Sequence, residues 1–308
     1  MHDAHPVHQN VGRLRVIPPK RYGLWIATAL TVAFLAWLAA AIAVNPAFDW
    51  PTFNRYLFHP SIMRGLGQTL LLTVIIMALA TLIGTIVAIM RLSPSVILQS
   101  FARAYVWFFR GAPALIQLIF WFNLALIVRE LSLTLPYFGT VFSVKTNDVM
   151  TPFVSAVIAL SLHEAGYMAE IIRAGISSVP AGQTEAASTL GMRQGKILRR
   201  IILPQAMRFV VPPTGNEAIN LMKTTSLVTV IAVDDLLYSA QTIYARTFET
   251  IPLLLVVAFW YLAAVSVMSV GQYFLERHFN PTDKRLGAGL LGKLGQSVFR
   301  FRRKDLSS

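Results

Sequence analysis

Long apolar runs recur along the chain, and short polar segments separate them. A helix that crosses a bilayer needs about 20 mostly apolar residues. Six segments have this length and composition: 23–44, 66–90, 105–128, 153–172, 221–245 and 252–275. The fourth and fifth carry more polar residues than the other four. The pattern therefore predicts an all-α fold, an integral membrane bundle of six spanning helices.

The composition favours a membrane protein over a soluble one. The chain has 308 residues, of which 55% are hydrophobic and 13% are charged. A soluble domain usually has about 25% charged residues. The absence of cysteine excludes disulfides, thiolate metal sites and cysteine nucleophiles. No nucleophile–base pair or metal-ligand cluster occurs at useful spacing, so we expect no catalytic residues and no metal site.

The net charge of +13 has an explanation in topology. Twenty-one of the 27 Lys and Arg residues lie in the two tails, in the loop between the second and third spans, and after the fourth span. The positive-inside rule places these regions in the cytoplasm, so both termini are predicted to be cytoplasmic. This topology accounts for the net positive charge, so the charge is no evidence that the chain binds nucleic acid. The apolar run at 23–44 is longer than the core of a signal peptide, which favours a retained anchor.

One basic, half-polar segment interrupts this pattern: "TEAASTLGMRQGKILRRIILPQA", residues 184–206. An apolar stripe of helical spacing lies on each side of Gly191. Glycine readily adopts positive φ and can end the first helix. Pro204 lacks a backbone donor and is expected to interrupt the second helix. The segment is therefore predicted to form two short amphipathic helices outside the bilayer, on the cytoplasmic side.

The residues alone leave the role of this segment open. Its arginines are compatible with an interfacial helix that rests on anionic lipid. A helix-turn-helix that binds DNA has similar spacing, but the flanking spans disfavour it. A third possibility is a docking surface for another protein, because the small residues of the segment permit close approach.

The spacing of this segment resembles a known family. Glu185-Ala186-Ala187, three residues, Gly191, nine residues, and Ile201-x-Leu203-Pro204 match the EAA loop of ABC importer permeases at every defined position. The stretches 65–73, 105–120, 173–187 and 212–236 resemble the branch of that family that takes up polar amino acids. The resemblance covers about residues 61–275.

The resemblance implies a domain organisation. A five-helix importer core occupies 61–275, with the coupling loop at about 176–206. The span at 23–44 is an additional N-terminal transmembrane helix, and 1–22 and 276–308 are basic cytoplasmic tails that can contact membrane lipid.

The resemblance also implies a function, that of the transmembrane permease subunit of an importer for polar amino acids. The coupling helices would dock into a cytoplasmic ATPase through the matching residues: Glu185, Ala186, Ala187, Gly191, Arg193, Ile201, Leu203 and Pro204. ATP and magnesium would bind to that ATPase, with no cofactor in this chain. The other expected partners are a second permease subunit, identical or a sister, and an extracytoplasmic amino-acid-binding protein, because the outer loops are short. The expected location is the bacterial inner membrane.

The polar side chains in the fourth and fifth spans require an explanation. Inserting an ionisable residue at the centre of a bilayer has a free-energy cost of about 2.5–3.5 kcal/mol. The candidates for a substrate path are His163, Glu164, Tyr167, Asn216, Glu217, Lys223 and Thr225. We expect Lys223 or nearby hydroxyls to hold the carboxylate of an amino acid, and Glu164 or Glu217 to hold its ammonium group. The alternative is a set of interhelical hydrogen bonds, including a Glu170–Arg173 ion pair at i, i+3.

Related permeases commonly read L-K-D-T-S where this chain reads M-K-T-T-S, so Thr224 replaces an acidic residue. Any role of that acid does not transfer to this chain. Asp234 and Asp235, after the apolar run 227–233, indicate either a hydrated helix break or residues with a contact role.

Two further segments bear on the function of the chain. "GAGLLGKL" at 287–294 approaches a nucleotide-binding pattern but lacks the Ser or Thr after Lys293 and a preceding strand. The segment 131–142 is predicted to be amphipathic and to lie on the membrane surface. A secondary transporter or channel without an ATPase is the alternative function, but it would leave the EAA segment without a role.

Overall fold

The computed structural model describes residues 22–135 and 139–279. The predicted tails 1–22 and 276–308 therefore lie largely outside the described residues, and the segment 287–294 lies wholly outside them. The helices are α1 (Tyr22–Val44), α2 (Trp50–Leu57), α3 (Pro60–Leu92), α4 (Val96–Gly111), α5 (Ala114–Phe122), α6 (Thr146–Val149), α7 (Pro152–Ser177), α8 (Ala181–Thr189), α9 (Gln194–Ile197), α10 (Leu203–Thr224), α11 (Leu236–Thr247) and α12 (Thr250–Phe279). A π-helical turn at Leu198–Ile202 joins α9 to α10, and a 3-10 helix at Thr225–Ile231 follows α10.

The chain divides into two compact units, residues 1–49 and 50–308. The first unit contains α1, an apolar helix of 23 residues whose stretch Trp25–Val44 has a mean hydropathy of 2.2. In the second unit, α3 and α12 are each long and apolar enough to cross a membrane. These three helices confirm the apolar segments predicted at 23–44, 66–90 and 252–275.

The centre of the second unit is α7, where the fourth span was predicted. Its 26 residues extend about 39 Å, which is enough to cross the hydrocarbon layer. It packs against α3, α4, α5 and α10. A core cluster between these helices includes Leu72, Leu118, Leu160 and Leu221. The polar residues of α7 are therefore held among other helices, which explains why this segment is less apolar than a lipid-facing span.

The third predicted span, 105–128, is wrong as a single helix. The chain breaks at Ala112 and Pro113, and α4 and α5 meet at an angle of 100°. Ala112 is extended, with φ −84° and ψ 137°, because a residue before proline is disfavoured in the helical region. Neither α4 nor α5 alone is long enough to cross a membrane, but the two helices together are long and apolar enough to form one bent span.

The fifth predicted span, 221–245, also breaks. Its first residues belong to α10, and Ala232 then adopts a left-handed conformation with φ 58°. The hydroxyls of Thr225 and Ser226 donate to the carbonyls of Met222 and Lys223, and such local bonds compete with regular helix. The segment Gln194–Ile231 and α11 form a bent pair, at 44°, rather than one straight helix.

Pro204 does not interrupt the helix, contrary to the prediction. The chain is helical from α9 through α10, with the π-helical turn immediately before the proline. The N–H of Leu203 donates to the carbonyl of Leu198, five residues earlier. A π-type turn is wider than an α-helical one and often lies at functional positions. The wider turn accommodates a proline that lacks a donor and would crowd the carbonyl four residues before it.

The described residues of the segment 131–142 form two paired β-strands, a structure that the amphipathic pattern alone did not specify. Strands β1 (Glu130–Leu135) and β2 (Gly139–Lys145) pair antiparallel, with Glu130 opposite Lys145 and an irregularity after Leu133. Alternating apolar and β-branched residues favour strands. The fold is otherwise all-α.

Candidate functional site

The predicted coupling segment forms two short helices around a glycine turn. Gly191 has φ 70°. Its N–H donates to the carbonyl of Ser188, and the N–H of Met192 donates to the carbonyl of Ala187. This pair of bonds is a Schellman motif, the helix end that most favours a residue with positive φ. The turn at Gly191 is therefore confirmed, with its backbone bonds assigned.

The two helices of this segment expose a continuous set of side chains. Among the predicted docking residues, the exposed ones are Glu185, Ala186, Gly191, Arg193, Leu203 and Pro204. Leu190 is 82% exposed, which is unusual for a large apolar side chain. Ala187 and Ile197 are buried, and Ile201 is half-buried. Ala187 therefore helps to pack the segment, whereas the exposed residues offer a surface to a partner.

His163, predicted for the substrate path, is held by a neighbouring helix. Nε2 of Gln117 lies 3.1 Å from Nδ1 of His163, and the same Nε2 donates to the carbonyls of Phe109 and Ala112, each at 2.9 Å. Gln117 thus stabilises the bend between α4 and α5 and orients the imidazole. This contact was not predictable from the sequence, because the two residues are 46 positions apart.

Tyr167 lies beside His163, and the guanidinium group of Arg110 lies over its ring. The rings of His163 and Tyr167 are 5.4 Å apart, and Cζ of Arg110 lies 4.8 Å from the centre of the Tyr167 ring. This geometry is typical of a cation–π interaction. Arg110 was missed as a site residue, although its position at the end of α4 just before a Gly-Ala-Pro break would have been a signal.

Glu170 has a structural role. Its Oε2 accepts a hydrogen bond from Nε of Arg173 at 2.9 Å, which confirms the predicted i, i+3 pair. Its Oε1 pairs with Nη1 of Arg91, at the end of α3. This second partner was not predicted, since Arg91 is distant in sequence. The carboxylate joins α3 to α7 and is fully paired.

Glu164 on α7 and Glu217 on α10 lie on helices that pack against each other, and the two residues are close enough to interact. Glu164 is 6% exposed, and its Oε1 has no hydrogen-bond partner among residues 22–135 and 139–279. Both residues were predicted for the path, but their placement on facing helices was not predictable from spacing.

A cavity of about 480 Å³ opens between α4, α7 and α10. Its lining residues are Arg110, Glu170, Ile171, Ala174, Gly175, Ser178, Phe209 and Pro213. On the α7 side its lining extends from Glu170 to Ser178, so the cavity lies beside the C-terminal half of that helix.

None of the predicted path residues is among the residues that line this cavity. Asn216 and Lys223 are exposed on α10, and in the part of the chain that the structure describes Lys223 forms no ion pair. Thr225 is fully buried, and its hydroxyl donates to the carbonyl of Met222 at 2.6 Å. The structure therefore does not bring Lys223 or Thr225 together with Glu164.

Asp235 is buried, which decides against a hydrated helix break at this residue and in favour of a contact role. Its Oδ1 accepts hydrogen bonds from the N–H of Tyr238 and the hydroxyl of Thr229, each at 2.8 Å. Asp235 thus caps α11. The N–H of Leu236 donates to the hydroxyl of Thr69 at 3.1 Å, which fastens the same helix end to α3.

Replacing Asp235 with alanine is expected to destabilise the fold by about 1–3 kcal/mol, because it leaves buried donors without an acceptor. Asp235→Asn keeps an oxygen in the same position and is expected to retain most of the stability. Thermal unfolding in detergent measures both variants. Equal losses in the two would contradict the capping role and indicate that the charge itself matters.

The comparison with protein families decides the identity of the chain. Residues 80–281 match the family described as the inner membrane component of binding-protein-dependent transport systems. The chain belongs to this family. It is a permease subunit of an ABC importer, which supports ATPase coupling over a secondary transporter or channel.

Curated relatives and solved structures agree with the family. The chain is 43% identical over 269 residues to the arginine transport system permease protein ArgU of Corynebacterium glutamicum, covering 87% of this chain and 84% of that protein. It is 36% identical to the glutamate/aspartate import permease protein GltK of Escherichia coli O157:H7, covering 75% and 97%.

Among solved structures, the crystal structure of an amino acid ABC transporter with histidines matches with TM-score 0.61 and 31% identity, covering 72% of this chain and 95% of that one. The inward-facing MetNI methionine ABC transporter matches with TM-score 0.58 at 18% identity, covering 71% and 96%, which shows a shared fold.

Proposed function

We propose that this permease imports a polar amino acid. The observation that carries the proposal is the 43% identity, across most of both chains, to a permease named for arginine transport. A second relative is named for glutamate and aspartate import, and the structure at 31% identity is that of an amino acid transporter. The buried polar groups of α7 and α10 suit a substrate that carries both charges.

The substrate path follows the facing surfaces of α7 and α10. His163, Glu164, Tyr167 and Glu217 border it within this chain. The exposed Asn216 and Lys223 are too polar to face lipid and would meet the path from a second permease subunit, identical or a sister chain. Thr225 is removed from the path because it is fully buried.

Docking of the coupling segment on a cytoplasmic ATPase drives the transport cycle. ATP and Mg²⁺ bind to that ATPase, while this chain holds no cofactor and catalyses no reaction. Movement of the segment passes directly into α10, because the chain is helical from Gln194 to Ile231 without an intervening loop. Displacement of α10 relative to α7 would open the path alternately to each side.

The permease lies in the inner membrane with both termini and the coupling segment in the cytoplasm, a topology that the distribution of basic residues supports. The hairpin β1–β2 then faces the outside, where a separate amino-acid-binding protein delivers the substrate.

Reconstituted uptake tests this proposal. The permease, its ATPase and any sister permease are placed in liposomes, the binding protein is added, and uptake of labelled amino acids is measured. We expect uptake that requires both ATP and the binding protein, and that stops when the ATPase subunit carries a hydrolysis-deficient substitution. Uptake driven by an ion gradient without ATP would contradict the proposal.

A further inference from the structure

Four arginines from three helices lie close together, with one acidic residue among them. This arginine cluster consists of Arg91 on α3, Arg103 and Arg110 on α4, and Arg173 on α7. Arg91 is close enough to the other three for their charges to act on it. Glu170 pairs with Arg91 and Arg173, and within residues 22–135 and 139–279 the four arginines form no other ion pair. Three positive charges of the cluster are therefore not balanced by a described acidic side chain.

The two arginines of α4 are accessible and have only neutral neighbours. Arg103 donates to the side-chain oxygen of Gln99, and the guanidinium of Arg110 lies over the ring of Tyr167. Both arginines are exposed. Each guanidinium has five N–H donors, so most donors of both groups remain available to an anion. Like charges this close repel one another, and an anion bound among them would relieve the repulsion.

The cluster lies where two long helices end. Arg91 is in the last turn of α3, and Arg173 is about one turn before the end of α7 at Ser177. The chain continues from α7 into α8 of the coupling segment. Helices of this length extend beyond the hydrocarbon layer, so their ends lie at the depth of the lipid headgroups. The cluster is therefore at headgroup depth, on the side of the membrane that carries the coupling segment.

Exposed aromatic side chains accompany the arginines along α4. Phe101 is 63% exposed, Trp107 77% and Phe108 53%. Tryptophan is enriched where a membrane meets water, and a helix that combines basic with large apolar side chains suits this boundary. An acidic surface of a soluble protein would pair with the arginines but would not bury these rings in acyl chains. The combination of charge and exposed aromatic rings favours a lipid.

We propose that the arginine cluster binds the phosphate group of an anionic phospholipid, from the leaflet on the side of the coupling segment. Arg103 and Arg110 donate to the phosphate oxygens, because a guanidinium matches a phosphate with two parallel hydrogen bonds. The acyl chains lie against the exposed rings of α4. The bound lipid joins α3, α4 and α7, whichever amino acid is transported.

Trp107 provides a local probe, because it lies on α4 between Arg103 and Arg110 in sequence. The permease is purified with its ATPase and placed in bilayers of phosphatidylcholine, to which brominated phosphatidylglycerol or brominated phosphatidylcholine is added. Bromine quenches tryptophan fluorescence on contact, and the signal of Trp107 is the difference between the unaltered complex and Trp107→Phe. We expect half-maximal quenching at a mole fraction at least about tenfold lower for phosphatidylglycerol, since each arginine near the surface contributes about fivefold.

Charge variants test which residues produce this preference. Arg103→Gln and Arg110→Gln are each expected to reduce the preference for phosphatidylglycerol about fivefold. Arg103→Lys and Arg110→Lys keep the charge and are expected to retain most of it. Arg246→Gln removes an exposed arginine from α11 and is the matched control, for which we expect no change. Quenching by brominated phosphatidylcholine should be the same in all of these variants, which shows that α4 remains folded.

Three results would overturn the proposal. Equal quenching by the two lipids means that Trp107 has no anionic lipid beside it. A preference that survives in both glutamine variants assigns the attraction to basic residues outside the cluster. A preference abolished by inorganic phosphate, but not by chloride at the same ionic strength, identifies a site for free phosphate. If one glutamine variant misfolds, the other position decides. The assay involves no transport, so its outcome is independent of the proposed function.

Discussion

Replacing Gly191 with valine is expected to reduce uptake to less than about a tenth, because the ATPase no longer docks. Gly191 has φ 70°, a conformation that costs an L-residue about 1–2 kcal/mol and a β-branched residue more. A penalty of about 2 kcal/mol would lower the population of the native turn roughly 30-fold. A Cβ at this position would meet no atom within 4 Å, so the effect is conformational and not steric. The measurement is the amount of ATPase retained on the tagged permease.

Two variants control this experiment. Gly182→Ala lies on α8 in the same segment, has open space and does not need positive φ, so we expect full retention of the ATPase. Gly191→Asn is expected to lose less than Gly191→Val, because asparagine tolerates the left-handed conformation. If the valine variant retains the ATPase normally, the coupling surface lies elsewhere on the chain.

Replacing Gly84 with valine is expected to destabilise the bundle by about 1–3 kcal/mol, with a fall in unfolding temperature on the order of 5 °C. Gly84 lies where α3 crosses α7. A Cβ there would lie 2.6 Å from Cβ of Met168 and 3.0 Å from the backbone of Ala165 and Ala169. Two of these three contacts are backbone atoms, so the helices must separate. Because α7 also carries Glu164, uptake should fall together with stability.

Gly67→Val provides the matched comparison for Gly84→Val. Gly67 lies on the same helix and is exposed, and a Cβ there would meet nothing within 4 Å. We expect its unfolding temperature in detergent to remain within about 1 °C of the unaltered protein. A similar loss in both variants would mean that valine disfavours the helix itself and that close approach of α3 and α7 is not the cause.

The apolar helices were predictable because their signal is local. Residues 23–44, 66–90 and 252–275 are apolar throughout, and no partner is needed to recognise them. The segments 105–128 and 221–245 were wrongly predicted as single straight helices for a different reason. At Pro113 and Ala232 the chain remains apolar while the backbone changes direction. A hydrophobicity pattern reports only which residues are apolar, so it does not reveal the change of direction.

The turn at Gly191 was predictable from residue type and spacing, because few residues other than glycine favour positive φ. The continuous helix through Pro204 was not, since it depends on a π-helical turn whose energy is set by neighbouring packing. The same distinction holds for the polar residues of α7 and α10. Glu164 and Glu217 were recognised as polar residues inside spans, but their proximity across the packed helices α7 and α10, and the position of Arg110, depend on tertiary structure.

The π-helical turn Leu198–Ile202 sets how far α10 is rotated about its axis relative to the docking helices α8 and α9. Such a turn contains one residue more than a regular α-helix, and each residue rotates the helix by about 100°. Deleting one residue there would restore ordinary helical bonding and leave both the docking helices and α10 intact. It would also rotate Glu217 away from Glu164. The number of residues between Gly191 and Glu217 is therefore constrained to a single value, although the residues themselves can vary.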